Sequence, residues 1–263
     1  MKFAILYSRK DLAGINIAEQ LKKMFIPQIP ILELKKDSIY SENIDKNLAR
    51  NFDFLVFATK HKSKTNKPAL SLHAPGNWRN ADYGGKPEKV CPTSASVLKY
   101  LFQQLHENAK NNKLKDYEIT LECTHHGPYL EKPCCFIEIG SQEEQWKDKK
   151  AAFVIAKTIA SLQDYNNNKT KPIAAIGIGG PHYCPNFNKI QTNSKYAIGH
   201  IIPQYVLPLS PTMLKEAIKK TEELVRIAIL DWKGCGISDE RKKVLDIIKK
   251  SGLKIKRTSE IDK

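Results

Sequence analysis

The chain has 263 residues, 41% hydrophobic and 27% charged, the balance of an ordinary soluble globular protein. Lysine and arginine outnumber aspartate and glutamate 43 to 28, for a net charge of +15. That surplus points to a polyanionic partner, nucleic acid before membrane, unless it is only a lysine-rich background. No apolar run approaches the ~20 residues that span a bilayer. The first residues lack a signal peptide's long apolar stretch and small-residue cleavage site, so a cytoplasmic protein is expected.

In chain order, a strand is expected at 2–7 and an amphipathic helix at 11–25, capped by Asp11. Strands follow at 29–34 and 52–58, the second apolar enough to be covered on both faces. The polar stretch 59–92 has no strong periodicity and reads as one long functional loop. It holds Lys60, Lys62, Lys64 and Lys67, then His73-Ala74-Pro75-Gly76-Asn77-Trp78-Arg79, then Asp82-Tyr83-Gly84-Gly85-Lys86. Basic residues interleaved with Trp78 and Tyr83 suit phosphate contact and base stacking. The bland alternative is a solvated surface loop.

A helix is expected at 93–108, capped by Thr93 or Ser94, and a strand at 117–121. A further strand at 134–139 carries Glu138, and a capping box at 141–144 opens a helix running to about 162. A polar connector at 166–169 leads to a buried strand at 173–178. The stretch 196–208 is punctuated by prolines and reads as irregular. A helix runs from 211 towards 224, 225–230 either continues it or forms a strand, and a helix from 238 precedes a last strand at 254–256. With no repeat and alternating elements, the expected architecture is one α/β domain over 1–263.

Two stretches carry the chemistry. Glu122-Cys123-Thr124-His125-His126-Gly127-Pro128 follows one strand, and Gly179-Gly180-Pro181-His182-Tyr183 follows another. Ligand sites in open α/β sheets lie at the carboxyl ends of strands, so the two stretches are expected to meet in one site. Adjacent strand residues point to opposite faces, so His125 and His126 share a ligand only if the chain turns there. There is no H-E-x-x-H and no G-x-S-x-G. A zinc site would draw on His125, His126 or His182 with Glu122, Glu138 or Asp82, and would supply activated water. For a lone histidine the plainer role is a hydrogen-bonded structural one, preferred here for His61, His106 and His200. Of six cysteines none forms a C-x-x-C pair, so reduced thiols are expected. Cys123 and Cys184 flank the histidine stretches as soft ligands or, more simply, buried small apolar residues.

Five segments in order resemble the archaeal and plant type of D-aminoacyl-tRNA deacylase. They are Ser71-Leu72-His73-Ala74-Pro75-Gly76-Asn77-Trp78, Ala81-Asp82-Tyr83-Gly84-Gly85, Thr124-His125-His126-Gly127-Pro128, Gly177-Ile178-Gly179-Gly180-Pro181-His182-Tyr183 and Asp231-Trp232-Lys233-Gly234. The resemblance implies a hydrolase of the ester between a D-amino acid and tRNA, acting also on glycyl-tRNA mischarged on alanine tRNA. It implies zinc, a monomer, and a single three-layer α/β/α domain with a mixed sheet, like phosphorylases and peptidyl-tRNA hydrolases. On this reading His125, His126 and His182 do the chemistry, and backbone N–H groups of Gly127, Gly179 or Gly180 hold the oxyanion. His73, Pro75, Gly76, Asn77, Asp82, Pro128, Pro181 and Tyr183 line the substrate. Lys60, Lys62, Lys64, Lys67, Arg79 and Lys86 hold phosphates, with Trp78 or Tyr83 stacking on a base. A zinc hydrolase of a small amide or ester, and a non-catalytic tRNA binder, are the alternatives.

Overall fold

The computed structural model describes residues 1–168 and 170–261, so Lys169 of the expected connector lies outside the described residues. The strands are β1 (Phe3–Ser8), β2 (Ile31–Leu34), β3 (Phe54–Lys60), β4 (Ala69–His73), β5 (Glu118–Leu121), β6 (Cys134–Gly140), β7 (Ile173–Ile178), β8 (Tyr196–Ile202), β9 (Ile227–Leu230) and β10 (Lys254–Arg257). The helices are α1 (Leu12–Lys22), α2 (Ala95–Asn111), α3 (Glu143–Trp146), α4 (Lys149–Ala160), α5 (Pro185–Asn193), α6 (Pro211–Lys219) and α7 (Ser238–Lys250).

The α/β architecture is present, but the strands form two sheets. A six-stranded sheet runs in the order β2-β1-β3-β6-β4-β5, and a four-stranded one in the order β10-β9-β7-β8. The first is mixed, because β4 pairs antiparallel with β6 while β5 pairs parallel with β4. The second is parallel throughout. The near-continuous apolar runs of β3, β6 and β7 fit strands covered on both faces. One hydrophobic cluster joins Phe54, Val56 and Ile137 of the first sheet to Phe102, Val154 and Ile159 of α2 and α4. It continues into the second sheet through Ala175, Ile198 and Ile229. Asp11 and Ser94 accept from Gly14 N–H and Val97 N–H, fixing the starts of α1 and α2.

Four expectations are corrected. The stretch 59–92 is not one loop: β3 runs on to Lys60, and β4 crosses it at Ala69–His73. Its five residues Ala-Leu-Ser-Leu-His are wholly buried and register against Phe136–Gly140 of β6. The irregular stretch at 196–208 contains β8, a seven-residue buried strand, with the prolines beyond its end. The helix expected from 141 to 162 breaks between Trp146 and Lys149, where Asp148 caps a new helix by accepting from Lys150 and Ala151 N–H. The stretch 225–230 resolves as a strand, β9, and α6 stops at Lys219.

Candidate active site

The chain that leaves β5 is laced between the two sheets. Glu122 N–H donates to Leu72 O at 3.2 Å, Cys123 N–H to His182 O at 2.9 Å and Thr124 N–H to Ile201 O at 3.0 Å. Glu122 forms an antiparallel bridge with Tyr183, and His125 a parallel one with Pro75. Residues that left β4, β5 and β7 at their carboxyl ends therefore converge. His126 turns the chain with φ +45°, which is how adjacent imidazoles come to share one site. The ring centroids of His125 and His126 lie 4.3 Å apart, and those of His125 and His182 4.5 Å apart. His73 joins them, 4.3 Å from His125 and 4.9 Å from His126.

At the centre is the buried carboxylate of Glu122. Its Oε2 accepts from His182 Nε2 at 3.0 Å and lies 3.5 Å from His125 Nε2. Its Oε1 lies 3.2 Å from His61 Nδ1, and Glu138 Oε2 lies 3.4 Å from the same nitrogen. Thr59 Oγ1 donates to Glu138 Oε1 at 2.7 Å. His61 is therefore not the remote structural residue expected. It ends β3 beside both carboxylates, and its Nε2 lies 2.8 Å from the Tyr183 hydroxyl. Its position among lysines in sequence hid this. His106 and His200 stay outside the cluster.

The imidazoles divide into two electrostatic kinds. Burial disfavours charge on His61 and His182, but hydrogen bonds to Glu122 and Glu138 for His61, and to Cys123 and Glu122 for His182, outweigh it and raise both to about 10. Burial likewise opposes charge on the carboxylates, yet their histidine partners hold Glu122 well below the usual range and bring Glu138 to about 2. Burial and the neighbouring imidazoles instead push His125 well below its ordinary value and His126 down to about 4. So a neutral pair sits beside two charged partners of Glu122.

Histidines 73, 125 and 126 also share a hydrogen-bond habit. Each sets Nδ1 against a backbone carbonyl: Ala74 O at 3.2 Å, Cys123 O at 2.9 Å and Gly127 O at 2.6 Å. Donation from Nδ1 leaves Nε2 as a lone pair in the neutral ring. His125 then faces a lone pair towards a carboxylate, and among the described residues buried His73 Nε2 has no hydrogen-bond partner, Glu138 Oε1 lying 3.9 Å away. Such an arrangement suits a cation. Among the described residues, four overlapping groups have ligand atoms within 4.8 Å of one another: His73–His125–His126, Cys123–His125–His182, His61–Glu122–His182 and His73–Glu122–Glu138. Asp82 is exposed and belongs to none of them.

Trp78, Arg79 and the N–H groups of Gly127 and Gly179 are not free for the roles expected of them. Trp78 is 4% exposed and packs edge-on against His200, so its ring cannot receive a base. Arg79 spends its guanidinium on Val206 O and Pro208 O, tying its loop to the segment after β8. Gly127 N–H donates to Tyr83 O and Gly179 N–H to Ile202 O, so neither is free for an oxyanion. Asn77 Nδ2 donates to Gly84 O at 2.8 Å, and Gly76 N–H to His126 O at 2.7 Å, so both shape the loop around the histidines. Pro75 O accepts from Cys91 N–H, while Pro128 O accepts from Cys91 Sγ. Pro181 is exposed beside His182. Lys62, Lys64 and Lys67 are exposed on the connection from β3 to β4; Lys60 lies over the Trp146 ring and Lys86 over Tyr129.

A model of the D-aminoacyl-tRNA deacylase family matches residues 48–256. A D-aminoacyl-tRNA deacylase of Methanocaldococcus jannaschii is 35% identical over 265 residues, covering 98% of this chain and all of that one. One from Pyrococcus abyssi is 40% identical over 88% of this chain and 90% of its own. The crystal structure of a conserved protein of unknown function, AF0625, has a TM-score of 0.89 at 30% identity and covers 98% of this chain and 96% of that one.

Proposed function

The chain belongs to the D-aminoacyl-tRNA deacylase family, and from that premise we propose that the cluster around Glu122 is where the ester of D-aminoacyl-tRNA is hydrolysed. The products are the free D-amino acid and tRNA, which returns to translation without its wrong-handed cargo. The observation that carries this reading is one meeting place for His61, His73, His125, His126 and His182 with Glu122 and Glu138, at the seam of two sheets.

Imidazole nitrogens and carboxylates are donors that zinc accepts, and the neutral rings of His125 and His126 are the form a metal requires. His73, His125 and His126 would hold the ion through Nε2, their Nδ1–H groups being fixed on backbone carbonyls as ligating histidines commonly are. Bound there, zinc would polarise the ester carbonyl and lower the pKa of water towards about 7.

The chain's own residues supply the rest. His182, its Nε2 held by Glu122 and its side chain 34% exposed, would donate from Nδ1, which lies only 3.6 Å from Cys123 Sγ, to the departing ribose oxygen. His61 keeps the charge on Glu122 and Glu138 compensated. Rigid backbone at Gly127-Pro128 and Pro181 closes against the substrate Cα, admitting hydrogen on the side where an L residue carries its side chain. Glycine passes the same filter, which accommodates glycyl-tRNA mischarged on alanine tRNA. Lys62, Lys64 and Lys67 attract the phosphates, in a cytoplasmic setting.

Hydrolysis of D- and L-tyrosyl-tRNA, measured before and after chelation, tests this. D-selective turnover is expected, lost with the chelator and restored by zinc. His182→Ala is expected to slow it on the order of a hundredfold or more. Equal rates on the two stereoisomers, or full activity in His182→Ala, would sink the proposal.

A further inference from the structure

Base stacking needs an aromatic face open to solvent beside the reacting atoms: Trp78 is buried, and Tyr83, 67% exposed, makes no side-chain hydrogen bond among the described residues that would fix its ring. The segment after β8 supplies a candidate that the sequence motifs did not mark. Tyr205 sits in a short turn, Gln204–Val206, and is 57% exposed. Exposed tyrosines are usually free to swing, but this one is tethered at both ends. Its backbone is fixed because Gln204 N–H donates to Gly180 O at 2.9 Å, within the glycine turn that leads to His182. Its hydroxyl lies 3.0 Å from Cys123 Sγ, and that sulfur lies 3.6 Å from His182 Nδ1. A second anchor comes from Arg79, which grips Val206 O and Pro208 O and so holds the turn from the far side. The hydroxyl end is thus rooted in the site while the ring remains open at its mouth.

We propose that the ring of Tyr205 is the stacking platform for the terminal adenine of the aminoacylated nucleotide. The inference rests on the deacylase reading above. An aromatic face accepts a base by stacking, and a ring pinned at its hydroxyl loses little freedom on doing so. The same tether fixes the distance between base and ester. With the base on Tyr205, the ribose and its ester fall beside His182, the next group along the chain of contacts Tyr205–Cys123–His182.

The test compares the wild type with Tyr205→Phe and Tyr205→Leu, each checked for an unchanged melting temperature. Steady-state hydrolysis of D-tyrosyl-tRNA and direct titration with adenosine 5′-monophosphate are both measured. Tyr205→Leu is expected to raise KM about ten- to a hundredfold with kcat retained, and to weaken nucleotide binding by a similar factor. Tyr205→Phe is expected to stay within a fewfold of wild type in both. Equal nucleotide affinity in all three proteins, or no binding to the wild type, would overturn the platform. So would a fall in kcat at constant KM, or an equal loss in Tyr205→Phe, since either would assign the effect to the hydroxyl on Cys123. A wild type that binds the nucleotide but leaves D-tyrosyl-tRNA intact would refute the deacylase reading alone.

Discussion

Single titrating groups make a stability prediction with a definite sign. Burial brings His126 and His200 to about 4, so between pH 6.5 and 4 the unfolded chain binds protons there that the folded chain does not. Stability must fall as pH drops through that window, by about 3 kcal/mol per histidine. His61 and His182, raised to about 10, do not offset the loss: their contribution is complete below pH 6.5 and disappears only as pH climbs towards 10. Glu138, lowered to about 2, adds a further loss below pH 4.5. Urea unfolding of metal-stripped protein at pH 7 and pH 4.5 measures this, and equal midpoints would contradict the burial of neutral imidazoles. The same residues show what could be read from sequence. His125, His126 and His182 announced themselves by standing at strand ends next to Gly-Pro or Gly-Gly-Pro. His61 gave no such signal, because its role comes from Glu122 and Glu138, residues 61 and 77 positions away that only β-pairing brings near. Trp78 misled in the opposite sense: basic neighbours suggested an exposed face, while packing against His200 buries it.

Among the elements, the turns matter as much as the strands. Gly234, just after β9, packs so tightly on the Gly179–Gly180 turn that a Cβ there would overlap Gly180 N. Gly180 in turn sets the entry to Pro181 and His182. Gly234→Ala is therefore expected to displace that turn, cost about 1–3 kcal/mol of stability and cut deacylation. Thermal unfolding together with D-tyrosyl-tRNA turnover measures both, and an unaffected rate would show that His182 is positioned without this brace. Strand legibility followed the length of apolar runs. β7 was bounded at 173–178 as its sequence suggested. β4 was lost in 59–92 because five apolar-rich residues stand between a lysine run and a Pro-Gly-Asn turn. β8 was lost because Pro203 and Pro208 lie close enough to blur a strand that ends before the first of them.

At the scale of the molecule, the proposed function gives the surplus of positive charge a task, that of drawing in the substrate. From Ser238 to Arg257, covering α7 and β10, eight basic residues face three acidic ones, and Arg241 and Arg257 lie over Trp232 at 5.0 and 3.8 Å. On the proposed function, these cations and the lysines between β3 and β4 are the ones available to phosphates of an acceptor stem. If six phosphates are neutralised, affinity for D-aminoacyl-tRNA should fall roughly a thousandfold between 50 and 200 mM salt. A flat KM across that range would leave the +15 charge without a role in binding. The stitching of the Glu122 segment to the second sheet has a temporal meaning as well. His182 meets Glu122 across 60 residues, and the Gly234 brace comes later still. A polypeptide emerging from the ribosome therefore carries most of its imidazoles long before they can work together, and any nascent or truncated form ending ahead of β9 would be silent towards the charged tRNAs surrounding it.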